Sequence, residues 1–225
     1  MSDSPRKAAA APTPEEAPRW LPIRALTPRH RPRILGHLRA LDETDRRLRF
    51  GFAAGDAHLA RYVESLDFGR DALFGVFNRR LLLVAFGHLA LDAAPPAADA
   101  RVMQAAEFGV SVWPRHRGRG FGTLLLEYAA LHARNRGIDR LLVHALSENT
   151  AMLAVARRAG AHVALEGAES TAVLRLPPHD LRSHCNQRLA ARAAEIDYDV
   201  KRRVRRLARA ARAASSIGLG PRPPR

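Results

Sequence analysis

Sixteen residues, Glu107-Phe-Gly-Val-Ser-Val-Trp-Pro-Arg-His-Arg-Gly-Arg-Gly-Phe-Gly122, constrain this chain more than any other stretch. They read as a strand, a turn rich in glycine and arginine, and the start of a helix. Leu124, Leu125, Tyr128 and Leu131 then form one apolar stripe along that helix. Gly118, Gly120 and Gly122 let the backbone approach a ligand without Cβ interference. The first N–H groups of a helix lack intrahelical partners and sit at the positive end of its dipole. A turn of this kind is a phosphate-binding device, and Arg115, Arg117 and Arg119 add full charges around it. An arginine-rich connection with no ligand is the alternative that this segment alone leaves open.

The flanking segments predict a mixed α and β domain over 21–177. Leu21–Thr27 reads as a strand, and Pro28 starts a helix capped by Thr27, with Ile34, Leu35, Leu38 and Leu41 at helical spacing. A helix over Ala57–Ser65 follows. Leu73–Asn78 and Leu81–Leu91 form a hairpin around Arg79-Arg80, and Ala93–Ala97 is a loop. Met103–Val112 is the strand before the turn, and the helix after it runs from Phe121 to Arg136, stopped by Gly137. Arg140–Leu146, a helix over Asn149–Ala159, and strands Ala161–Leu165 and Thr171–Leu176 complete the domain. The expected architecture is α/β (α+β), a mixed sheet of about seven strands flanked by helices. Residues 1–20 read as a disordered tail and 214–225 as a flexible one. Between them and the domain's end, 178–213 form a basic amphipathic helix whose Leu189, Ala193, Ile196, Val200, Val204, Leu207 and Ala211 step by three and four. Such a stripe is expected to dock on the domain or on a dimer partner.

Composition narrows the partners. The net charge is +15, and from Arg182 onward the balance is +9. That favours polyanions of every kind without choosing among them. No run of 18 apolar residues exists to span a bilayer. The first twenty residues lack the apolar centre of a secretion signal. A single cysteine, Cys185, forbids an internal disulfide and agrees with a reducing, cytosolic compartment. His179, His184 and Cys185 are too irregularly spaced for a metal site. The turn lacks the Gly-Lys-Ser/Thr ending of a Walker element.

Three elements in one order resemble the GNAT superfamily of acyl-CoA-dependent N-acetyltransferases. They are the strand Glu107–Val112, the loop Arg115-His-Arg-Gly-Arg-Gly120, and Ser147-Glu-Asn-Thr-Ala-Met-Leu153. Arg115, Gly118 and Gly120 complete the signature Arg/Gln-x-x-Gly-x-Gly/Ala. Ala105-Ala-Glu-Phe-Gly-Val-Ser-Val112 and Glu148-Asn-Thr-Ala-Met-Leu153 are similar to bacterial protein-lysine acetyltransferases of the Pat type. A weaker match, Asp45-Arg-Arg-Leu-Arg-Phe50, is similar to their helix near the acceptor site. The resemblance implies acetyl-CoA as cosubstrate, no metal, and Glu107 as general base. It assigns cofactor binding to Val110, Ser111, Val112, Arg115, Arg117, Gly118, Arg119, Gly120, Phe121, Gly122 and Asn149. Val110 supplies the backbone N–H that polarises the thioester carbonyl.

The chemistry asks that the acceptor ammonium lose its proton before it attacks. A carboxylate beside the apolar Ala106 and Phe108 is a better base near neutral pH. Glu107 is either that base or a rim carboxylate paired to an arginine. Asn149 is expected to bond the pantetheine arm, with a plain helix cap as the alternative, and the two roles are compatible. His88 reads as a structural strand histidine rather than a base. Many relatives place a tyrosine seven residues after the asparagine as acid for the departing thiolate, and here that residue is Ala156. Function therefore divides three ways: an N-acetyltransferase on a primary amine, expected to be protein lysine; a weak or inactive CoA-binding scaffold; or a polyanion binder acting through the C-terminal helix. The first is favoured, with an acidic acceptor protein and a homodimer as candidate partners and nucleic acid disfavoured for want of interleaved aromatic residues.

Overall fold

The computed structural model describes residues 22–91 and 104–217. The expected tail at 1–20, the loop at 93–97 and residues 218–225 lie outside them, while 214–217 of the expected flexible tail at 214–225 continue the C-terminal helix. Seven strands form one sheet in the order β1-β2-β3-β4-β5-β7-β6. They are β1 Ile23–Ala25, β2 Ala72–Phe77, β3 Leu83–Leu91, β4 Ala105–Val112, β5 Arg140–Leu146, β6 His162–Glu166 and β7 Glu169–Arg175. Every pairing is antiparallel except β4 with β5.

Alternation along the central strands gives the sheet two apolar faces. On one, Phe108, Phe74 and Leu89 pack with Leu125, Leu126 and Ala129 of helix α4, Phe121–Arg134. Helix α5, Thr150–Arg158, joins that face through Ala156. On the other, Leu73, Phe86 and Leu83 meet Ile34 and Leu38 of α1, Arg31–Arg39, and Leu59 and Val63 of α3, Asp56–Ser65. The segment expected to be helical from Pro28 begins instead as a short 3-10 turn over Pro28–His30. Thr27 N–H donates to His30 Nδ1 at 3.0 Å there. In the hairpin between β2 and β3, Asn78 Oδ1 accepts from Arg80 N–H and Leu82 N–H at 2.9 and 3.0 Å. One side chain thus closes a turn that has no glycine.

Between α1 and α3 lies α2, Glu43–Phe50. Asp42 caps it by accepting from Asp45 N–H at 2.8 Å, and Gly51, at φ 83°, ends it. The C-terminal helix α6 spans Leu181–Ile217. Its docked face is not the expected stripe. Ala194 and Tyr198 are buried against the domain, while Leu189, Ile196, Val200, Val204 and Leu207 are 54–70% exposed. Tyr198 packs edge-on to Phe77, its ring lies 3.8 Å below the guanidinium of buried Arg24, and its hydroxyl accepts from Arg33. Arg24 also pairs with Glu195 at 2.8 Å. Tyr198→Ala removes that anchor, with an expected loss of about 3 kcal/mol in urea unfolding.

Candidate active site

The sheet opens where its parallel pair ends. β4 and β5 pair only through Ala105–Glu107 against Arg140–Leu142. Beyond Glu107, β4 continues alongside β3 and β5 alongside β7, so the two strands part. Trp113 N–H donates to Val84 O at 3.0 Å, and the β3–β4 register runs without a shift. In an antiparallel ladder this places the odd residues of β4 in the rungs to β3. The N–H groups of Val110 and Val112 therefore face the opening.

The glycine turn closes that opening. Gly118 and Gly120 have φ of 71° and 79°, values that side chains rarely tolerate. Gly120 precedes Phe121, the first residue of α4, with no side-chain cap. Among the described residues, the amides of Gly118 through Thr123 meet no protein acceptor, whereas Arg117 N–H is taken by Pro114 O at 3.2 Å. The amides of 117–122 are the cradle expected from the sequence, and among the described residues the free ones run from Gly118 to Thr123. A cavity of about 330 Å³ lies over it, lined by Val110, Ser111, Val112, Arg117, Gly118, Gly120, Phe121, Gly122 and Asn149. Arg115 and Arg119 are exposed and do not line it.

The structure adds detail to two expected roles and corrects the surroundings of a third. Ser111 lines the cavity, and its hydroxyl is engaged by His37 of α1. Its side chain is buried, and His37 Nδ1–H donates to Leu83 O at 3.0 Å, which leaves Nε2 to accept from Ser111 Oγ at 2.8 Å. Burial holds His37 down at about 4, with Arg49 adding to the effect, so its ring is neutral. Asn149 does act as a cap: Oδ1 accepts from Met152 N–H at 3.1 Å and Nδ2 donates to Leu48 O at 3.3 Å. Ala106 and Phe108 do not surround the Glu107 carboxylate. They are buried on the α4 face, and Glu107 is exposed on the other, in register with Ala90 and beside the His88–Gly109 pair.

Helix α2, which carries the segment Asp45–Phe50 matched above to a helix near the acceptor site, forms one wall of the cavity. Asp45, Leu48 and Arg49, spaced i, i+3, i+4, all line the cavity. The helix is tied across the opening by Arg117–Asp45 at 2.5 Å, by Arg47–Glu148 at 3.1 Å and by the Asn149–Leu48 bond. Leu41, His116, Thr123, Ala151, Met152, Val155 and Arg158 complete the lining. Burial lowers the His116 pKa, helped by Arg119.

Behind Arg49 runs a chain from three elements. Tyr62 of α3 bonds His88 Nδ1 at 2.8 Å, and His88 Nε2 bonds Asp71 Oδ2 at 3.0 Å. Burial lowers the His88 pKa against the pull of Asp71, so the ring is neutral. Histidine 88 is thus held in a network rather than standing alone. Ala156 is fully buried in the core beneath α5. His179, His184 and Cys185 do not line the cavity, and among the described residues no group of three metal-ligating side chains forms. No described helix is long and apolar enough to cross a membrane.

Two diverging strands with free amides between them, closed by an uncapped helix start, define an N-acetyltransferase of the GNAT type. The chain belongs to the acetyltransferase (GNAT) family, whose profile matches residues 37–161. It is similar to the GNAT domain of S. lividans PAT, with 23% identity, a TM-score of 0.57, and 68% of this chain and 89% of that one covered. It is also similar to yncA of Salmonella typhimurium, a putative acetyltransferase solved with acetyl-CoA (14% identity, TM-score 0.53, 72% and 96% covered). A third is a phosphinothricin acetyltransferase from Sinorhizobium meliloti in complex with AcCoA (11%, 0.52, 72% and 95%). At these identities the likeness is one of fold. No curated protein sequence matches the chain.

Proposed function

We propose that this protein transfers an acetyl group from acetyl-CoA to the lysine side chain of an acidic protein, with Glu107 as general base. The observation that carries the reading is the row of unpaired amides from Gly118 to Thr123 at the start of α4. A diphosphate needs several convergent N–H donors and a positive dipole end, and this turn supplies both. The cavity continues from there to Val110, whose N–H faces the strand opening. A thioester carbonyl aligned on that N–H is polarised for attack.

Acetyl-CoA is a substrate here, and it supplies an activated acyl group. This chain's residues supply position, polarisation and a base. Glu107 stands at the last rung before β4 and β5 part, on the face opposite α4. An acceptor amine reaching the opening from the side of α2 and α3 meets that carboxylate first. The ammonium proton passes to Glu107, directly or through one water, and the freed lone pair attacks the carbonyl carbon.

Charge supports a protein acceptor. The net charge is +15, and Arg49 and Arg158 line the cavity at the opening. Such a field repels free cationic amines and attracts an ammonium set among carboxylates. A cytosolic location is part of this reading, supported by a single-cysteine composition that agrees with a reducing compartment. CoA release on lysine peptides with acidic or basic flanks, and on a panel of small amines, tests the acceptor. The acidic-flanked peptide is expected to react at least about tenfold faster at low salt, with the margin shrinking as salt screens it. Small amines turning over as fast as that peptide overturn the protein acceptor.

A further inference from the structure

Resting on the proposed reaction, we infer that the guanidinium of Arg49 is a further catalytic group, the counter-charge against which the CoA thiolate departs. The reaction needs one because the chain offers no acid at the usual place. Ala156 is 0% exposed and packs into the core, with no hydroxyl to give.

Four observations locate Arg49 at the reacting atoms. It lines the cavity. Its guanidinium lies flat on Gly109: the carbon and both terminal nitrogens fill the space that a Cβ at this residue would need. Gly109 immediately precedes Val110, whose N–H faces the opening where the thioester carbonyl would align. Finally, Arg49 Nε is buried without a hydrogen-bond partner, and among the described residues the side chain forms no salt bridge. Asp71 is engaged by Arg70 and His88 instead. Phe50 and Tyr62 flank the guanidinium at 5.2 and 5.9 Å from their ring centroids. A charge kept among rings without a carboxylate partner is costly to hold. That cost is offset when an anion forms beside it.

Tyr62 does not take the acid's role itself. The charged Asp71 accepts from His88 Nε2–H, which leaves Nδ1 bare to accept the Tyr62 O–H. The phenol proton therefore points away from the cavity, and its oxygen lone pair accepts from Arg49 at 3.3 Å. Tyr62, His88 and Asp71 are positioning residues that hold the guanidinium over Gly109.

The step balances without a proton donor. The amine lone pair forms the C–N bond, and the C–S bond breaks with its electron pair leaving on sulfur. The ammonium proton passes to Glu107 and on to solvent, Glu107 then takes the second N–H proton that the nitrogen sheds as the amide forms, and the thiolate separates as an anion beside Arg49. The sulfur takes its proton from solvent after release.

Ionisation of the thiol in bound CoA tests this without turnover. CoA is titrated against pH on wild type, Arg49→Ala, Arg49→Lys and Gly109→Ala, and the ultraviolet absorbance of the thiolate is followed. On wild type the bound thiol is expected to ionise at least about one pH unit below free CoA, a tenfold gain in thiolate stability. Arg49→Ala abolishes that shift and Arg49→Lys keeps part of it. Gly109→Ala pushes the guanidinium aside and also loses the shift, while its cavity amides stay in place. Turnover at saturating substrates is expected to fall by about 10²-fold in Arg49→Ala, with KM for acetyl-CoA changing little. Identical titrations in wild type and both alanine variants, with CoA still bound, overturn the role of Arg49 alone. No CoA binding by wild type overturns the proposed function with it.

Discussion

Glu107→Gln is expected to lower turnover by about 10²–10⁴-fold, the usual contribution of a positioned base. Its KM for acetyl-CoA should stay near that of wild type, because Glu107 does not line the cofactor cavity. The substitution keeps the side chain's shape and removes only its capacity to take a proton. Its surroundings argue for a reacting group rather than a structural one. Glu107 is exposed, and no salt bridge ties it to another described residue. It occupies the final rung shared by β4 and β5, three residues before Val110. Tyr62 and His88 both feel its charge, so it sits on the same side of the sheet as the Arg49 network. CoA release measured at saturating acetyl-CoA with a lysine peptide gives the answer. Equal turnover in the two proteins would remove Glu107 from the chemistry.

Stability is expected to fall as pH drops from about 6.5 toward 4, by on the order of 5 kcal/mol from two histidines. His30 and His37 are both buried, at 2% and 1% exposure. Burial lowers His30 to about 4, with the Arg24, Arg29 and Arg33 charges adding to it. Burial lowers His37 to about 4 as well, against the hydrogen bond it donates to Leu83 O, which raises it. Both folded values lie below the 6.5 of a free histidine. The unfolded chain therefore takes up protons that the folded one refuses as pH falls through this window. The contribution is fully present above pH 6.5 and is spent near pH 4. Between pH 6.5 and 5 most carboxylates remain ionised, so urea midpoints there report the histidines. A midpoint that stays flat across that interval would show that these rings are not held neutral by the fold.

The glycine turn could be read from the sequence because its requirements are local. Gly118 and Gly120 occupy backbone angles that only their neighbours along the chain set up. The apolar stripe of α4 and the stop at Gly137, with φ 77°, are local for the same reason. What escaped the sequence is tertiary. Asp45, Leu48 and Arg49 lie in a segment matched only weakly, by resemblance, to a helix near the acceptor site, and they become a cavity wall because Arg117 and Asn149 meet them from across the opening. Asp71, His88 and Tyr62 come from three elements whose meeting depends on the register of β2 and β3. Ser111 carried the right spacing for a ligand contact, yet strand parity sends its hydroxyl to His37. Helix α6 presents the opposite lesson. Its clearest periodic stripe is exposed, and the small Ala194 with the aromatic Tyr198 makes the docked face. Periodicity finds a face but does not say what covers it.

Calorimetric titration of CoA into wild type and Gly120→Val tests the central claim most directly. A branched side chain at φ 79° strains the turn that gathers the free amides of Gly118 to Thr123. Wild type is expected to bind CoA, and Gly120→Val to bind it at least about tenfold more weakly while melting as a folded protein. No heat from wild type, or the same affinity in both proteins, would show that this turn does not hold the diphosphate.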